Sequence, residues 1–387
     1  MPAPSPLAVP GRSVGARSPR RRGVRRALAV AVASGLTATI AACGGSAPSS
    51  TSPAETVSGS PSGTPAAYPV SIAHRYGRTS IEKEPQRIVT VGLMEQDAVL
   101  ALGKVPVATT EWFGEQPGAI FPWAKDELAG RPLPQVLKTT DGIQFEKIAA
   151  LKPDLILGMY SALTKEDYEK LSKIAPTIAQ PEGQKDWTAS WQEITRTTAI
   201  ALGQQEKAES LISFNEGIFA NARRDHPDWQ GAPAVMAGLY QGVFAYGSQD
   251  ARGRLLGRLG FTVPKEIDEI SGTGFGGVIS NEKLDLLDGS AMIWLMTDYA
   301  PERKTIDANP VYPTLKVSKE GRDIFVASSK DGAYYAATSF ITVLSIPHLL
   351  ETLIPQLEAA TDGDPTTVRP GVGSKAAESV QLSGLTS

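Results

Sequence analysis

Short apolar runs alternate along this chain with segments whose apolar residues recur at helical spacing. The runs predict strands over 87–92, 105–110, 154–160 and 177–179, with helical patterns at 95–102, 146–151 and 165–174. An earlier segment, 69–82, reads as a hairpin around Tyr76-Gly77. From 187 to 224 the pattern is helical almost throughout, broken at Gly203. Strands then resume at 234–239, 243–246, 291–297 and 324–328, and a final helix covers 346–359. Strands alternating with helices imply parallel α/β sheets.

A weak internal repeat divides the pattern. Glu146-Lys147-Ile148-Ala149-Ala150-Leu151 leads into one strand, and Glu282-Lys283-Leu284-Asp285-Leu286-Leu287 leads into another, in register at an offset of 136 residues. This favours two similar α/β lobes, one on each side of a long helix. Such lobes offer ligand sites beyond the carboxyl ends of their strands, and two facing mouths enclose a cleft.

Charge and composition narrow the picture. Residues 1–42 hold seven arginines and no acid, and without them 31 basic residues face 41 acidic ones, about −10. An acidic body argues against nucleic-acid binding, which depends on basic phosphate contacts. The lone cysteine, Cys43, excludes an internal disulfide and a CxxC site. His74, His226 and His348 are too scattered for a bare metal site.

The arginines at 20–22, 25 and 26 precede an apolar run of about 16 residues, short of the ~20 that span a bilayer. This describes an export signal over 1–42. Its end, Ile40-Ala41-Ala42-Cys43, resembles a bacterial lipobox, which predicts lipidation at Cys43; Sec and Tat export both stay open. The Gly/Ser/Pro/Thr-rich stretch 43–67 reads as a tether and 361–387 as a disordered tail. The body then divides into an N-terminal lobe (68–203), a linker helix (204–225) and a C-terminal lobe (226–360).

From about His74 to Gln356 the chain resembles the siderophore, haem and cobalamin substrate-binding proteins of ABC importers. The residues that carry this are Pro85-Gln-Arg-Ile-Val, Phe145-Glu-Lys-Ile-Ala-Ala-Leu-Lys-Pro-Asp-Leu-Ile156, Leu171-Ser-Lys-Ile-Ala-Pro-Thr177, Ala201-Leu-Gly203 and Ile279-Ser-Asn-Glu282. The segment 112–117 looks like an actinobacterial ferric-siderophore subgroup. One departure is Tyr312, where many members carry a Trp. The resemblance implies the class III periplasmic-binding-protein fold: two Rossmann-like lobes on one linker helix, with the ligand cleft between them and only modest closure. It also implies that Glu146 and Glu282, one per lobe, dock onto permease arginines. Both acids equally suit the first turn of a helix, and Ser280 is placed to cap the second.

Residues just beyond strand ends are the cleft candidates. They are Glu111, Trp112, Phe113, Met159 and Tyr160 in one lobe, and Tyr240, Gln241, Phe275, Met296, Tyr299, Lys330, Tyr334 and Tyr335 in the other. A ferric siderophore arrives with its iron already chelated, so no cofactor and no protein metal ligand is expected. Aromatic faces bury its edges, and Arg252, Arg303 or Lys330 answer residual charge. So few cations favour a hydroxamate or mixed-type ligand over an anionic tris-catecholate. Gly272-Thr273-Gly274-Phe275-Gly276-Gly277 matches GxGxxG spacing without the strand and helix a dinucleotide site needs, and reads as a loop.

The expectation is a monomeric, exported binding protein, lipid-anchored at the outer face of the cell membrane and feeding an ABC permease. Haem or cobalamin as cargo, and a membrane-anchored sensor lipoprotein, are the alternatives. An enzyme is disfavoured, because no nucleophile or metal motif is present.

Overall fold

The computed structural model describes residues 68–111, 113–140, 142–272 and 274–367, apart from the side chains of Lys330 and Asp331. The export signal, Cys43, the tether, Trp112 and the end of the chain lie outside the described residues.

A hairpin of β1 (Val70–His74) and β2 (Gly77–Ile81) opens the body. The first lobe follows as β3 (Ile88–Thr90), α1 (Glu95–Ala101), β4 (Ala108–Thr110), β5 (Gln135–Leu137), α2 (Phe145–Ala150), β6 (Leu155–Leu157), α3 (Lys165–Ser172) and β7 (Thr177–Ile178). Its sheet is parallel throughout, in the order β5-β4-β3-β6-β7. The chain reverses its winding between β3 and β6, where open α/β sheets form a crevice. β6 is shorter than its apolar run predicts: the N–H of Gly158 still donates to the carbonyl of Ile178 at 2.9 Å, and the chain then bends at Met159 and Tyr160.

Two helices leave the lobe. A capping box between Ser190 and Glu193 starts α4 (Trp191–Leu202), and Gly203 in the left-handed region ends it. The linker α5 (Gln205–Asp225) buries a stripe of Ala208, Ile212, Asn215, Phe219 and Ala222, spaced alternately by four and three. Its 21 residues run about 30 Å.

The second lobe comprises β8 (Ala234–Leu239), β9 (Val243–Tyr246), α6 (Ala251–Leu259), α7 (Lys265–Ser271), β10 (Gly276–Ile279), β11 (Ala291–Met296), α8 (Tyr299–Asp307), α9 (Lys316–Lys319), β12 (Asp323–Ala327), α10 (Ser328–Ser339) and α11 (Ser345–Thr361). The sheet order is β10-β9-β8-β11-β12, with β9 antiparallel to both neighbours. Every residue of β11 is buried, as a central parallel strand requires.

Two sequence expectations need correction here. The glycine-rich loop stops at Phe275, because Gly276 and Gly277 already belong to β10. The two repeat segments differ in kind: the first is α-helical, whereas Asn281–Leu287 is a 3-10 helix to which Ser280 gives no side-chain cap. Both nevertheless precede the strand beside the first strand of their lobe, β6 next to β3 and β11 next to β8. Tyr312 is a core residue: its hydroxyl accepts from Trp294 Nε1 and donates to Asp323, each at 2.8 Å.

Candidate functional site

At the first lobe's crevice a buried carboxylate joins the two loops of the winding reversal. Glu95 accepts from the main-chain N–H of Tyr160 at 2.7 Å and from that of Met94 at 3.1 Å. Burial raises its pKa, against the pull of these donors. Gly92 makes room for the carboxylate, since a Cβ there would lie 2.1 Å from Glu95 Oε1. The anchored Tyr160 meets Trp187 edge-on at 5.8 Å. Trp187 has a φ of +62°, a left-handed conformation that costs a bulky residue about 1–3 kcal/mol and persists only where its surroundings enforce it.

The second lobe contributes Arg252, in the first turn of α6. Its Nη1 reaches both oxygens of Asp250 at 3.0 and 3.2 Å, and Nη2 donates to Ser339 at 3.0 Å. The guanidinium lies 4.2 Å from the ring centroid of Tyr246. Both ions are deeply buried, with Arg252 6% and Asp250 3% exposed, and Nε of Arg252 has no hydrogen-bond partner among the described residues. Burial opposes the charge on Arg252, but Asp250 with Tyr246 and Tyr160 outweighs it, so its pKa rises. Burial also raises Tyr160, Tyr246 and Tyr335, all of which feel Arg252. Tyr160 belongs to one lobe and Arg252 to the other, so the pair marks where the two mouths meet.

Other contacts tie the lobes together. Phe113 packs on Tyr335 at 5.8 Å and on Phe340 at 5.2 Å, and Phe121 packs on Phe340 at 4.8 Å. Asp97 of α1 accepts from Trp123 Nε1 at 2.8 Å and from the hydroxyl of Thr342, with both donors on Oδ2. Burial pushes Asp97 up to about 6. Arg254 of α6 donates to the carbonyls of Thr188 at 2.9 Å and Gln249 at 2.7 Å. A concavity of about 860 Å³ opens behind this contact, between α4, α5 and α6. Trp191, Phe219 and Phe261 line it beside Arg196, Arg258 and Glu216, but none of the buried unpartnered side-chain atoms among the described residues lies on its wall, whereas Arg252 Nε lies at the mouth. We therefore place the site at the mouth.

Phe113 meets Tyr335 and shares an apolar cluster with Tyr160 and Phe340, Arg252 reaches Ser339 beside Phe340, and Phe275 joins through Tyr246 at 6.5 Å. Tyr240 and Gln241 form the β8–β9 turn, where Gln241 has a φ of +54°. Met159 and Met296 are buried in the core, and Glu111 is half-buried beyond β4. Tyr299 begins α8. Arg303 is committed elsewhere, paired to Asp307 and 4.0 Å over the Phe325 ring. Tyr334 turns inward, donating to Gln356 at 2.5 Å with 4% exposure, whereas its neighbour Tyr335 faces the mouth. Trp112 and the Lys330 side chain lie outside the described residues. Sequence reasoning pointed to Trp187 as a reporter of the cleft but missed Tyr246 and Phe244. The alternation of Phe244 and Tyr246 in β9 was the available signal. Glu146 and Glu282 are exposed, each in the first turn of its short helix. Among the described residues no three of His, Cys, Asp and Glu gather to hold a metal ion.

Comparison with known proteins points one way. The profile of the family described as periplasmic binding protein matches residues 88–326. A periplasmic solute binding protein from Mycobacterium smegmatis is 33% identical with a TM-score of 0.64, covering 76% of this chain and 99% of that one. PiaA from Streptococcus pneumoniae, solved in complex with ferrichrome, is 26% identical with a TM-score of 0.65 over 76% of this chain and 99% of its own. The ferric-anguibactin-binding protein FatB of Vibrio anguillarum is 27% identical over 300 residues, 73% of this chain and 86% of the relative.

Proposed function

Because the chain belongs to the periplasmic binding protein family, we propose that it captures a ferric siderophore outside the cytoplasm and delivers it to an ABC importer. The observation that carries this reading is Arg252, buried where the lobes meet, ringed by tyrosines and holding one unpartnered N–H. Relatives named for ferric anguibactin, ferric citrate and ferric enterobactin support iron chelates as the cargo class. A complete chelate needs no protein donor to its iron and asks only for faces to lie against and oxygens to be answered.

The ligand we favour is a neutral or weakly charged hydroxamate or mixed-type chelate. Asp250 already neutralises Arg252, so the mouth offers hydrogen bonds rather than net positive charge. A strongly anionic tris-catecholate would find little counter-charge there. Titration of tryptophan fluorescence with ferric hydroxamates, catecholates and mixed chelates, with haem and cobalamin alongside, tests this. Micromolar or tighter binding of the hydroxamates is expected, and exclusive binding of tris-catecholates or haem would overturn it.

Two further roles belong to the same reading. Glu146 and Glu282 meet arginines of the permease, one per lobe, so that approach and orientation are set together. Cys43 carries a lipid that keeps the receptor at the outer face of the membrane. Metabolic labelling with a fatty-acid probe should mark the chain, and Cys43→Ser should abolish the label.

A further inference from the structure

Six large apolar side chains stand well exposed among the described residues. Three of them sit on one small part of the second lobe: Tyr240 at 41%, Phe275 at 45% and Val278 at 48%. β9 and β10 form that lobe's edge, with Gly276 paired to Tyr246 and Val278 to Phe244, so these four positions share a face. The opposite face is covered: Gly277 and Ile279 are buried, and a Cβ at Gly277 would lie 2.6 Å from Ile270 of α7. On the open face the rings form a chain. Tyr240 meets Phe244 at 6.2 Å, Phe244 meets Phe275 at 5.4 Å, and Phe275 stacks near Tyr246 at 6.5 Å. The Phe244 ring fills the space a side chain at Gly276 would need, with Cε1 2.5 Å from the missing Cβ. The chain of rings ends on Arg252, 4.2 Å beneath Tyr246.

An apolar strip thus runs unbroken from the deepest cation of the mouth to solvent at an edge strand. Exposed apolar edges invite unwanted association, so one that continues into a binding mouth calls for an occupant. We propose that this strip receives an apolar arm of the ligand, making the cargo an amphiphilic ferric chelate. Its oxygen-rich head lies at Arg252, and its acyl or aryl arm follows Tyr246, Phe275 and Phe244 out to Val278. The proposal rests on the mouth being the chelate site. Continuity with Arg252 selects the ligand over a second copy of the chain, which would pair with the main-chain edge of β10 rather than with a face leading inward.

Three ferric hydroxamates sharing one head test it, bearing no arm, a six-carbon acyl arm and a twelve-carbon acyl arm, titrated into the mature chain. A fully buried methylene is worth about fourfold in affinity, so a six-carbon arm on a half-open strip should tighten binding at least about tenfold. Val278→Asp should erase that gain and leave the armless affinity unchanged. Equal affinity for all three, or arm dependence that survives Val278→Asp, would overturn the proposal while leaving the chelate reading intact. Failure of all three to bind would overturn both. Self-association abolished by Val278→Asp, without arm dependence, would assign the strip to a second copy instead.

Discussion

Arg254, on a helix of the second lobe, holds the carbonyl of Thr188 in the first lobe at 2.9 Å. Thr188 follows Trp187, whose ring packs on Tyr160 in spite of a left-handed backbone. The guanidinium therefore helps keep an aromatic wall of the mouth in place from across the gap. A charge-assisted bond of this kind contributes about 1.5–3 kcal/mol. Arg254→Ala should weaken ligand binding about tenfold, chiefly through faster release, and Arg254→Lys should recover part of the loss. Stopped-flow tryptophan fluorescence checks both, and an unchanged release rate would remove Arg254 from the mouth's support.

Asp97 predicts an unusual response to pH. Its folded pKa, about 6, lies above the usual carboxylate value of 3.8, so between these values the folded chain binds the proton more tightly than the unfolded chain does. The stability this provides is fully present below pH 3.8 and is lost as pH rises through about 6. Asp97→Asn keeps an oxygen for both Trp123 and Thr342 and removes the buried charge. The variant should be more stable than the native chain by about 2 kcal/mol at pH 7.5, with the difference fading near pH 4. Urea denaturation across that range measures it.

On the proposed reading, the ion pair at the mouth should decide which ligand charge is accepted. Arg252→Ala strands a buried Asp250 and should cost about 3–5 kcal/mol of stability together with binding. Asp250→Asn is the more informative change, because it leaves the cation uncompensated. Its affinity for anionic catecholates should rise about tenfold relative to neutral hydroxamates. Competition between the two chelate classes, followed by calorimetry, gives the ratio directly.

Reversal of both exposed acids, Glu146→Lys with Glu282→Lys, should lower iron uptake by at least about tenfold in cells and leave the ligand dissociation constant unchanged. Normal uptake by the double variant would free both residues from permease docking.

Most strands of both lobes were legible because buried parallel strands show as unbroken apolar runs, as Ala291–Met296 does, whereas the three-residue edge strand β5 begins on an exposed Gln135 and carries no such run. β10 was hidden because Gly276 and Gly277 look like a loop, and the reason for glycine lies in distant partners, the Phe244 ring and Ile270. Tyr334 and Tyr335 could not be told apart in sequence. A helix turns adjacent residues about 100° from one another, and the phase of α10 is altered by non-helical Gly332. Arg252 was recognisable as a candidate cation, but nothing in the pattern marks Asp250, which caps the start of α6 two residues earlier, as its buried partner.

The linker α5 runs uninterrupted from lobe to lobe, and the contacts of Phe121 with Phe340 and of Asp97 with Thr342 reinforce it. We expect a receptor braced in this way to keep nearly the same outline whether loaded or empty. Vacant copies should then compete with filled ones for the same transporter gate. Import should depend on the ratio of filled to vacant receptor, so producing more receptor than there is iron to carry should slow delivery instead of speeding it.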